Sequence, residues 1–324
     1  MRRRLHRANP RVAGPLAALL ALLAALGPAA TASASGRAQA PVAAVSVSEA
    51  AAAARVARYW TPQRMRNARP LDLVLGPGGK TRLRVGAAPA AEAAASFLAV
   101  STPDIAPYSF NGRIFIRRGD VSGYCSGTAI DTPTRQLVLT AGHCINSGRE
   151  NGEPSVWSDY LQFVPAYSGG VAPFGSFVAR RSKVFAPRQW TNHGNPDFDL
   201  GAFLTLPNGR GENVADAVGG GATIVLDASR HQTFRSFGYP GRVTRLQSCT
   251  SPYVGDDLLS NPFPGPPTLG IRCHWAPGAS GGGWLIGDGT EINGLNAYLH
   301  YRKKSHTYGP YFATETVGRL VRGL

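Results

Sequence analysis

Thr140-Ala141-Gly142-His143-Cys144 is the most informative stretch of this chain, because small residues lead to a histidine placed directly beside a cysteine. A second string, Gly278-Ala279-Ser280-Gly281-Gly282-Gly283, places a serine in a glycine-rich turn. Between the two strings, Asp197-Phe198-Asp199-Leu200-Gly201 carries acidic residues at the start of an apolar run. Histidine, then aspartate, then serine is one of the chain orders of a nucleophilic serine triad. We therefore expect the chemistry of a serine hydrolase.

Each string supplies one group that this chemistry needs. A serine hydroxyl is a poor nucleophile until a base removes its proton, and a neutral imidazole is a suitable base. A carboxylate on the other ring nitrogen fixes the tautomer and stabilises the imidazolium. We assign His143 as the base, Asp199 as the orienting carboxylate and Ser280 as the nucleophile.

Two acidic residues compete for the orienting role. Asp199 is favoured because Leu200-Gly201-Ala202-Phe203-Leu204 continues it directly into a predicted strand. Asp197 is expected instead to cap the preceding turn at Asn195-Pro196.

The glycines around Ser280 have a chemical reason. Acyl transfer passes through an oxyanion that converging backbone N–H groups must stabilise, and a bulky side chain would obstruct that turn. We expect the N–H groups of Gly278 and Ser280 to be the donors.

The pattern of residue types from about Tyr108 onward favours an all-β fold. Short runs rich in Val, Ile, Phe and Tyr alternate with clusters of Gly, Pro, Asn and Asp, which is typical of a sandwich or barrel. The predicted strands include Arg113–Arg117, Gly127–Asp131, Gln136–Thr140, Leu161–Val164, Leu200–Leu206, Arg235–Phe237, Gly283–Ile286 and Ile292–Ala297. Only residues 314–324 show helical spacing of apolar side chains, so a C-terminal helix is expected to pack on the barrel.

Residues 108–324 resemble the chymotrypsin-like, or trypsin-like, serine peptidases in their bacterial secreted branch. Besides the histidine and serine strings and Asp199, the resemblance includes Cys125-Ser126-Gly127-Thr128 and Gly238-Tyr239-Pro240-Gly241. It implies two perpendicular six-stranded β-barrels with the site in the cleft between them. His143 and Asp199 would come from the first barrel and Ser280 from the second. It also implies a Cys125–Cys144 disulfide that tethers the histidine loop.

The resemblance also implies where substrate binds. His274 and Trp275 lie just before the nucleophile, where family members build the wall of the primary specificity pocket. Asn296, Ala297 and Tyr298 lie where the family binds the substrate backbone with a strand after the nucleophile.

One departure from the family pattern concerns activation. The family commonly has an aspartate just before the nucleophile, where this chain has Ala279. In many animal members that aspartate pairs with the N-terminus released on zymogen cleavage, and Ala279 cannot form that ion pair. A pro-segment here is expected to act by another route, as a folding aid or a steric block.

The N-terminal region predicts export. Residues 1–15 contain five arginines and no acid, residues 16–26 are an unbroken run of Ala and Leu, and Ala32-Ser33-Ala34 provides a cleavage site. This is the pattern of a secretory signal peptide, and the apolar run is too short to span a bilayer. We predict a signal peptide over 1–34, a pro-segment or permanent N-terminal extension over 35–107, and a secreted peptidase domain over 108–324.

Four cysteines in an exported chain predict two disulfides, with three possible pairings. The local pairs, Cys125–Cys144 and Cys249–Cys273, are favoured. A zinc site is disfavoured because no Cys-x-x-Cys spacing occurs.

The net charge of +15 would fall to about +10 on removal of the five signal-peptide arginines. The remaining basic residues are scattered and accompany no nucleic-acid motif, so they predict a cationic extracellular protein. We expect protein or peptide substrates, no specific nucleic-acid partner, no membrane anchor, no cofactor or metal, and a monomer.

Three alternatives remain. Gly278-Ala279-Ser280-Gly281-Gly282 also fits the nucleophile elbow of α/β-hydrolases, but Asp288 and His300 follow too closely to leave room for that fold. A catalytically silent binding module on a peptidase scaffold would keep the same strings. A cell-wall-binding protein is supported only by the net charge.

Overall fold

The computed structural model describes residues 46–77, 80–86, 97–150, 152–241, 243–258, 265–300, 303–322 and 324. Contacts divide the chain into two units, Met1–Ala38 and Gln39–Leu324, and every described residue belongs to the second. The predicted signal peptide lies outside the described residues. None of the described helices has the length and apolar character needed to cross a membrane.

The described chain begins with two helices and three strands that precede the predicted peptidase domain. They are α1 (Val47–Tyr59), α2 (Pro62–Asn67), β1 (Arg69–Leu75), β2 (Thr81–Val85) and β3 (Leu98–Ala99). Helix α1 begins with a capping box, in which the Ser46 hydroxyl accepts from the Glu49 N–H and the Glu49 side chain accepts from the Ser46 N–H. All of strand β2 pairs antiparallel with the last five residues of β1, from Leu71↔Val85 to Leu75↔Thr81.

Six strands then close into a first barrel. They are β4 (Asn111–Arg118), β5 (Val121–Ile130), β6 (Leu137–Thr140), β7 (Asp159–Pro165), β8 (Phe177–Phe185) and β9 (Gly201–Thr205). Their order is β4-β5-β6-β9-β8-β7, and β7 pairs again with β4. The loops carry α3 (Gly142–Ile145), α4 (Arg188–His193) and α5 (Val214–Ala217).

The second half of the chain supplies the other barrel. Its strands are β10 (Thr223–Ile224), β11 (Thr233–Gly238), β12 (Gln247–Asp256), β13 (Leu269–Ile271), β14 (Gly283–Ile286), β15 (Glu291–Leu295), β16 (Tyr298–His300) and β17 (Lys303–Gly309). They follow the order β15-β14-β11-β12-β13-β17-β16. Because β15 leads into β16 through only Asn296 and Ala297, the two ends of this series are continuous in the chain. The all-β, two-barrel prediction is confirmed.

The predicted C-terminal helix is present but shorter than expected. It is α6 (Val317–Val321), and residues 314–316 form a turn before it. The Thr316 hydroxyl accepts from the Ala313 N–H and donates to the Tyr311 carbonyl, which holds that turn outside the helix.

Both predicted disulfides are present, Cys125–Cys144 and Cys249–Cys273. The first joins β5 to α3 and so ties the histidine loop to the barrel wall. The second joins β12 to the segment after β13.

The segment before residue 108 belongs to an apolar cluster that extends from the first barrel into the second, where it includes Leu285 and Ile292. Trp60, Leu71, Leu73 and Leu75 are buried in the same apolar cluster as Phe115 of β4. A second cluster fills the other barrel around Trp284 and the Cys249–Cys273 disulfide.

Candidate active site

His143 and Asp199 form a buried pair inside the first barrel. The backbone N–H of His143 donates to Asp199 Oδ1 at 2.7 Å, and its Nδ1 lies 2.8 Å from Asp199 Oδ2. Both side chains are fully buried. Gly142 permits this approach, because a Cβ on it would lie 2.9 Å from Asp199 Oδ1 and 2.8 Å from Trp190 Cδ1.

The helical turn that carries His143 is held from several sides. Arg118 donates to the His143 carbonyl at 2.7 Å, and burial lowers the pKa of that guanidinium to about 10. The Cys125–Cys144 disulfide anchors the next residue. The ring orientation is therefore fixed by hydrogen bonds and a covalent tether rather than by packing alone.

Asp197 lies in a different environment. The Asp197 carboxylate forms a hydrogen bond with the backbone of Thr268 and lies near the carboxylate of Asp257. Burial and, to a lesser extent, the like charge of Asp257 raise the pKa of Asp197 to about 7. The expectation that Asp197 caps its turn is wrong, because the Asn195 side chain is the cap and accepts from the Asp197 N–H at 2.9 Å.

The serine turn has the conformation that its glycines allow. Gly278 has φ +98°, and a Cβ on it would lie 2.4 Å from Tyr124 Cε2 and 2.7 Å from the Tyr239 carbonyl. The Ser126 N–H donates to the Ser280 carbonyl at 2.7 Å, and the Ser126 hydroxyl donates to the Gly278 carbonyl at 2.9 Å. Strand β5 of the first barrel thus holds the Ser280 turn of the second.

The hydrogen bond that a triad needs between the histidine and the serine is not formed in this structure. His143 Nε2 is buried and has no hydrogen-bond partner among the residues that the structure describes. Nor does any hydrogen bond within that set join Ser280 Oγ to the imidazole. Contacts of this kind are often long in enzymes without substrate and tighten when substrate binds.

A small pocket opens beside Ser280. It is lined by Asp72, Trp275, Ala276, Ser280, Asn296, Ala297, Tyr298, Leu299 and Thr307. Four of the five predicted substrate-binding residues therefore lie on it. His274 is not part of this lining as far as the chain is described.

Several of these side chains support the pocket rather than offering free polar groups to it. The Asn296 amide accepts from Ser236 Oγ and Trp284 Nε1 and donates to the carbonyls of Phe237 and Ala279. The Trp275 indole N–H donates to Ser236 Oγ at 2.7 Å. Contacts with Asp257 and Thr268 hold the Tyr298 hydroxyl.

Two residues at the site were not anticipated from the sequence, Leu71 and Asp72 of β1. The Gly278 N–H, one of the two expected oxyanion donors, donates to the Leu71 carbonyl at 2.8 Å. Burial raises the pKa of Asp72 to about 6, while electrostatic interactions with His143 and Arg84 and the Leu73 backbone N–H oppose that shift. The alternation of Leu71, Leu73 and Leu75 predicts a strand, but nothing local indicates where it binds.

Cys125, His143 and Cys144 bring three possible metal-ligand atoms close together. Both sulfurs belong to the disulfide, so this cluster offers no thiolate to a metal ion.

Several solved protease structures resemble this chain in fold. A protease, Anisep, from Arthrobacter nicotinovorans is 31% identical, with a TM-score of 0.59 over 66% of this chain and 94% of that one. A thermostable serine protease, AL20, from an extremophilic microorganism is 27% identical, with a TM-score of 0.56 over 64% of this chain and 92% of that one. A Glu endopeptidase that is 20% identical shares the fold, with a TM-score of 0.53 over 69% of this chain and 94% of that one.

No protein-family model matches the chain, and no curated protein matches it. The solved relatives nevertheless agree with the two-barrel architecture, and the chain covers nearly all of the first one at more than 30% identity. The chain belongs to the chymotrypsin-like serine peptidase family.

Proposed function

We propose that this protein is a secreted serine endopeptidase in which His143, Asp199 and Ser280 form the catalytic triad. The observation that carries the proposal is the buried His143–Asp199 pair, with its 2.8 Å contact between Nδ1 and Oδ2. This contact leaves Nε2 as the ring nitrogen available to a proton from Ser280. The glycine-rich turn supplies the second requirement, a backbone at Gly278 that only glycine fits and whose N–H is an expected oxyanion donor once the Leu71 carbonyl has left it.

The chemistry follows from these positions. His143 takes the Ser280 proton as the hydroxyl oxygen attacks the carbonyl carbon of a peptide, and the N–H groups of Gly278 and Ser280 stabilise the oxyanion. The protonated His143 then gives its proton to the leaving amine, and an acyl-enzyme remains. Water repeats the cycle with the same base and releases the acid product. Asp199 keeps the imidazole oriented and stabilises its charged form throughout.

Export and maturation belong to the same proposal. A signal peptide over 1–34 delivers the chain to an oxidising compartment, where both disulfides are stable. The segment over 35–107 is removed from the peptidase domain on maturation. Ala279 cannot take part in an N-terminal ion pair, so maturation activates the enzyme in another way.

The test is covalent labelling of the secreted, processed protein with a fluorophosphonate, followed by intact-mass spectrometry. We expect one adduct on the wild type and none on Ser280→Ala, since only an activated serine reacts. Ser182→Ala, an exposed serine on β8, is the matched control and should label like the wild type. The wild type and Ser182→Ala should also hydrolyse a protein substrate, and Ser280→Ala should not.

Absence of an adduct on folded, processed wild type would overturn the proposal and favour a silent binding module. Hydrolysis retained in Ser280→Ala would remove Ser280 from its role.

A further inference from the structure

Strand β1 joins the free edges of both barrels at the nucleophile turn. Its first residues pair parallel with β5, as Arg69↔Gly123 and Pro70↔Tyr124. Its last residues pair parallel with β16, as Leu73↔Tyr298, Val74↔Leu299 and Leu75↔His300. The residues between these two pairings, Leu71 and Asp72, therefore pass Ser280.

The edge of β16 can accept only one extended chain on this side. Strand β17 already pairs with the other edge of β16, as Tyr298↔Tyr308 and Leu299↔Thr307. An extended peptide that binds by strand addition needs the edge that β1 occupies. Substrate bound along this strand and docked β1 therefore exclude each other.

The oxyanion donor is also occupied. The Gly278 N–H donates to the Leu71 carbonyl at 2.8 Å, and a substrate carbonyl would need that same N–H. Ser280 itself is only 5% exposed. An approaching substrate thus meets a filled donor and a covered nucleophile.

The side chain in the pocket comes from the next residue, Asp72. Asp72 is 5% exposed, lines the pocket with Trp275 and Ser280, and is close enough to His143 for an electrostatic interaction. In a substrate, the residue whose side chain fills this pocket would also supply the carbonyl that accepts from the Gly278 N–H. In β1 the carbonyl is from Leu71 and the side chain from Asp72, so the strand lies one residue out of the register of a substrate.

The charge of Asp72 acts in the same direction. A carboxylate beside the nucleophile opposes development of a second negative charge on an oxyanion at Gly278. The resident strand thus presents no bond that the site can readily cleave.

Docking of β1 is stabilised along its whole length. Leu71, Leu73 and Leu75 are each no more than 1% exposed. Strand β2 pairs with β1 from the other side. The strand is a built part of the fold and not a loosely placed loop.

We propose that β1 is an inhibitory strand, and that the substrate cleft is a binding site for Arg69–Leu75 in an out-of-register, parallel arrangement until this segment is removed. The inference rests on the proposed function, because inhibition has meaning only if Ser280 is activated.

The experiment compares fluorophosphonate labelling of the unprocessed chain with that of the processed chain in one sample, since intact mass separates the two species. Leu73→Asp places a charge in the buried contact with Tyr298 and should release β1, and Leu73→Ala is a milder form of the same change. Leu98→Asp on β3, where the side chain is 76% exposed, is the matched control. Near-ultraviolet circular dichroism checks that each variant is folded.

We expect rapid labelling of the processed species and slow labelling of the unprocessed wild type and Leu98→Asp. Unprocessed Leu73→Ala should label at least about tenfold faster than unprocessed wild type, and a folded Leu73→Asp faster still. Equal, rapid labelling of unprocessed wild type, Leu73→Ala and the processed species would overturn the inhibitory role and leave the proposed function intact. Labelling of no species would overturn the proposed function, and the inhibitory role with it.

Discussion

At the scale of single residues, the two neighbouring acids Asp197 and Asp199 show how environment assigns roles. Asp199 accepts from both the backbone and the ring of His143, whereas Asp197 faces Thr268 and Asp257. Burial and the nearby carboxylate of Asp257 raise the pKa of Asp197 to about 7, which disfavours its charged form. Only Asp199 is suited to hold an imidazolium.

Replacing Asp199 by Asn should lower turnover by about 10⁴, by analogy with the loss of tautomer control in the general triad template. The matched control is Asp197→Asn, two residues away, which should change turnover little. Steady-state hydrolysis of one peptide substrate by both variants measures the difference. A large loss in Asp197→Asn with Asp199→Asn unaffected would exchange the two roles.

The three residues of the proposed triad were predicted from the sequence, because each lies in a short string whose chemistry is evident locally, and the structure brings two of them, His143 and Asp199, into contact. The supporting contacts could not be predicted in this way. Asn296 was expected on the substrate strand from its position after the nucleophile, yet its amide makes four hydrogen bonds within the second barrel. The partners lie on β11, on β14 and in the turn before Ser280, 12 to 60 residues away, and no spacing rule predicts them.

At the scale of elements, β1 marks the limit of sequence-based prediction. Alternating leucines indicate a strand, and the switch from Ala-rich to β-rich texture near residue 108 indicates a boundary. Neither indicates that β1 pairs with β5 and β16, because parallel pairings at large sequence separation depend on tertiary packing. The boundary after residue 107 stays a prediction, although the structure shows β1 packed within the same compact unit as both barrels.

The buried acid of β1 makes its docking depend on pH. Burial raises the pKa of Asp72 from 3.8 to about 6 against opposing electrostatic interactions with His143 and Arg84, so docked β1 holds its proton more tightly than free β1. Docking is therefore strongest below about pH 4. As the pH rises to about 6, the equilibrium constant for docking of β1 falls by up to about 100-fold, because each pH unit between the two pKa values lowers it about tenfold. Above about pH 6 the strength of docking no longer changes through Asp72.

The measurement is the labelling rate of Ser280 in the unprocessed chain between pH 4 and 7.5, for wild type and Asp72→Asn. Because the two proteins share every other titratable group, the ratio of the two rates isolates the contribution of Asp72. We expect this ratio to rise between pH 4 and 6 and then to level off. A ratio that does not vary with pH would contradict the assignment.

At the scale of the whole molecule, the segment before residue 108 and the first barrel share one apolar core. Trp60 is 3% exposed, packs 5.3 Å from the ring of Phe115, and donates its indole N–H to the Tyr160 carbonyl. Elements that share a core are expected to unfold together. The unprocessed chain should therefore behave as one cooperative unit.

Trp60→Ala in the unprocessed chain should lower the free energy of unfolding by about 3–5 kcal/mol, as for other buried aromatic residues cut back to alanine. Val47→Ala, where the side chain is 89% exposed, should change it by less than about 0.5 kcal/mol. Urea denaturation followed by circular dichroism measures both. Two separate transitions in the wild type would show that the segment is not part of the common core.

The inhibitory strand is attached to the barrels by a second contact further along the chain. Phe97 stacks on Trp275 with ring centroids 4.3 Å apart, and β3 pairs with β12. While the chain is continuous, β1 is an intramolecular ligand whose effective concentration at the cleft is set by its tether. A first cut between Val85 and Phe97, before the rest of the segment over 35–107 is removed, would leave β3 in place and make β1 part of a separate molecule. Its return to the cleft would then be a second-order event, and dilution alone would free the site.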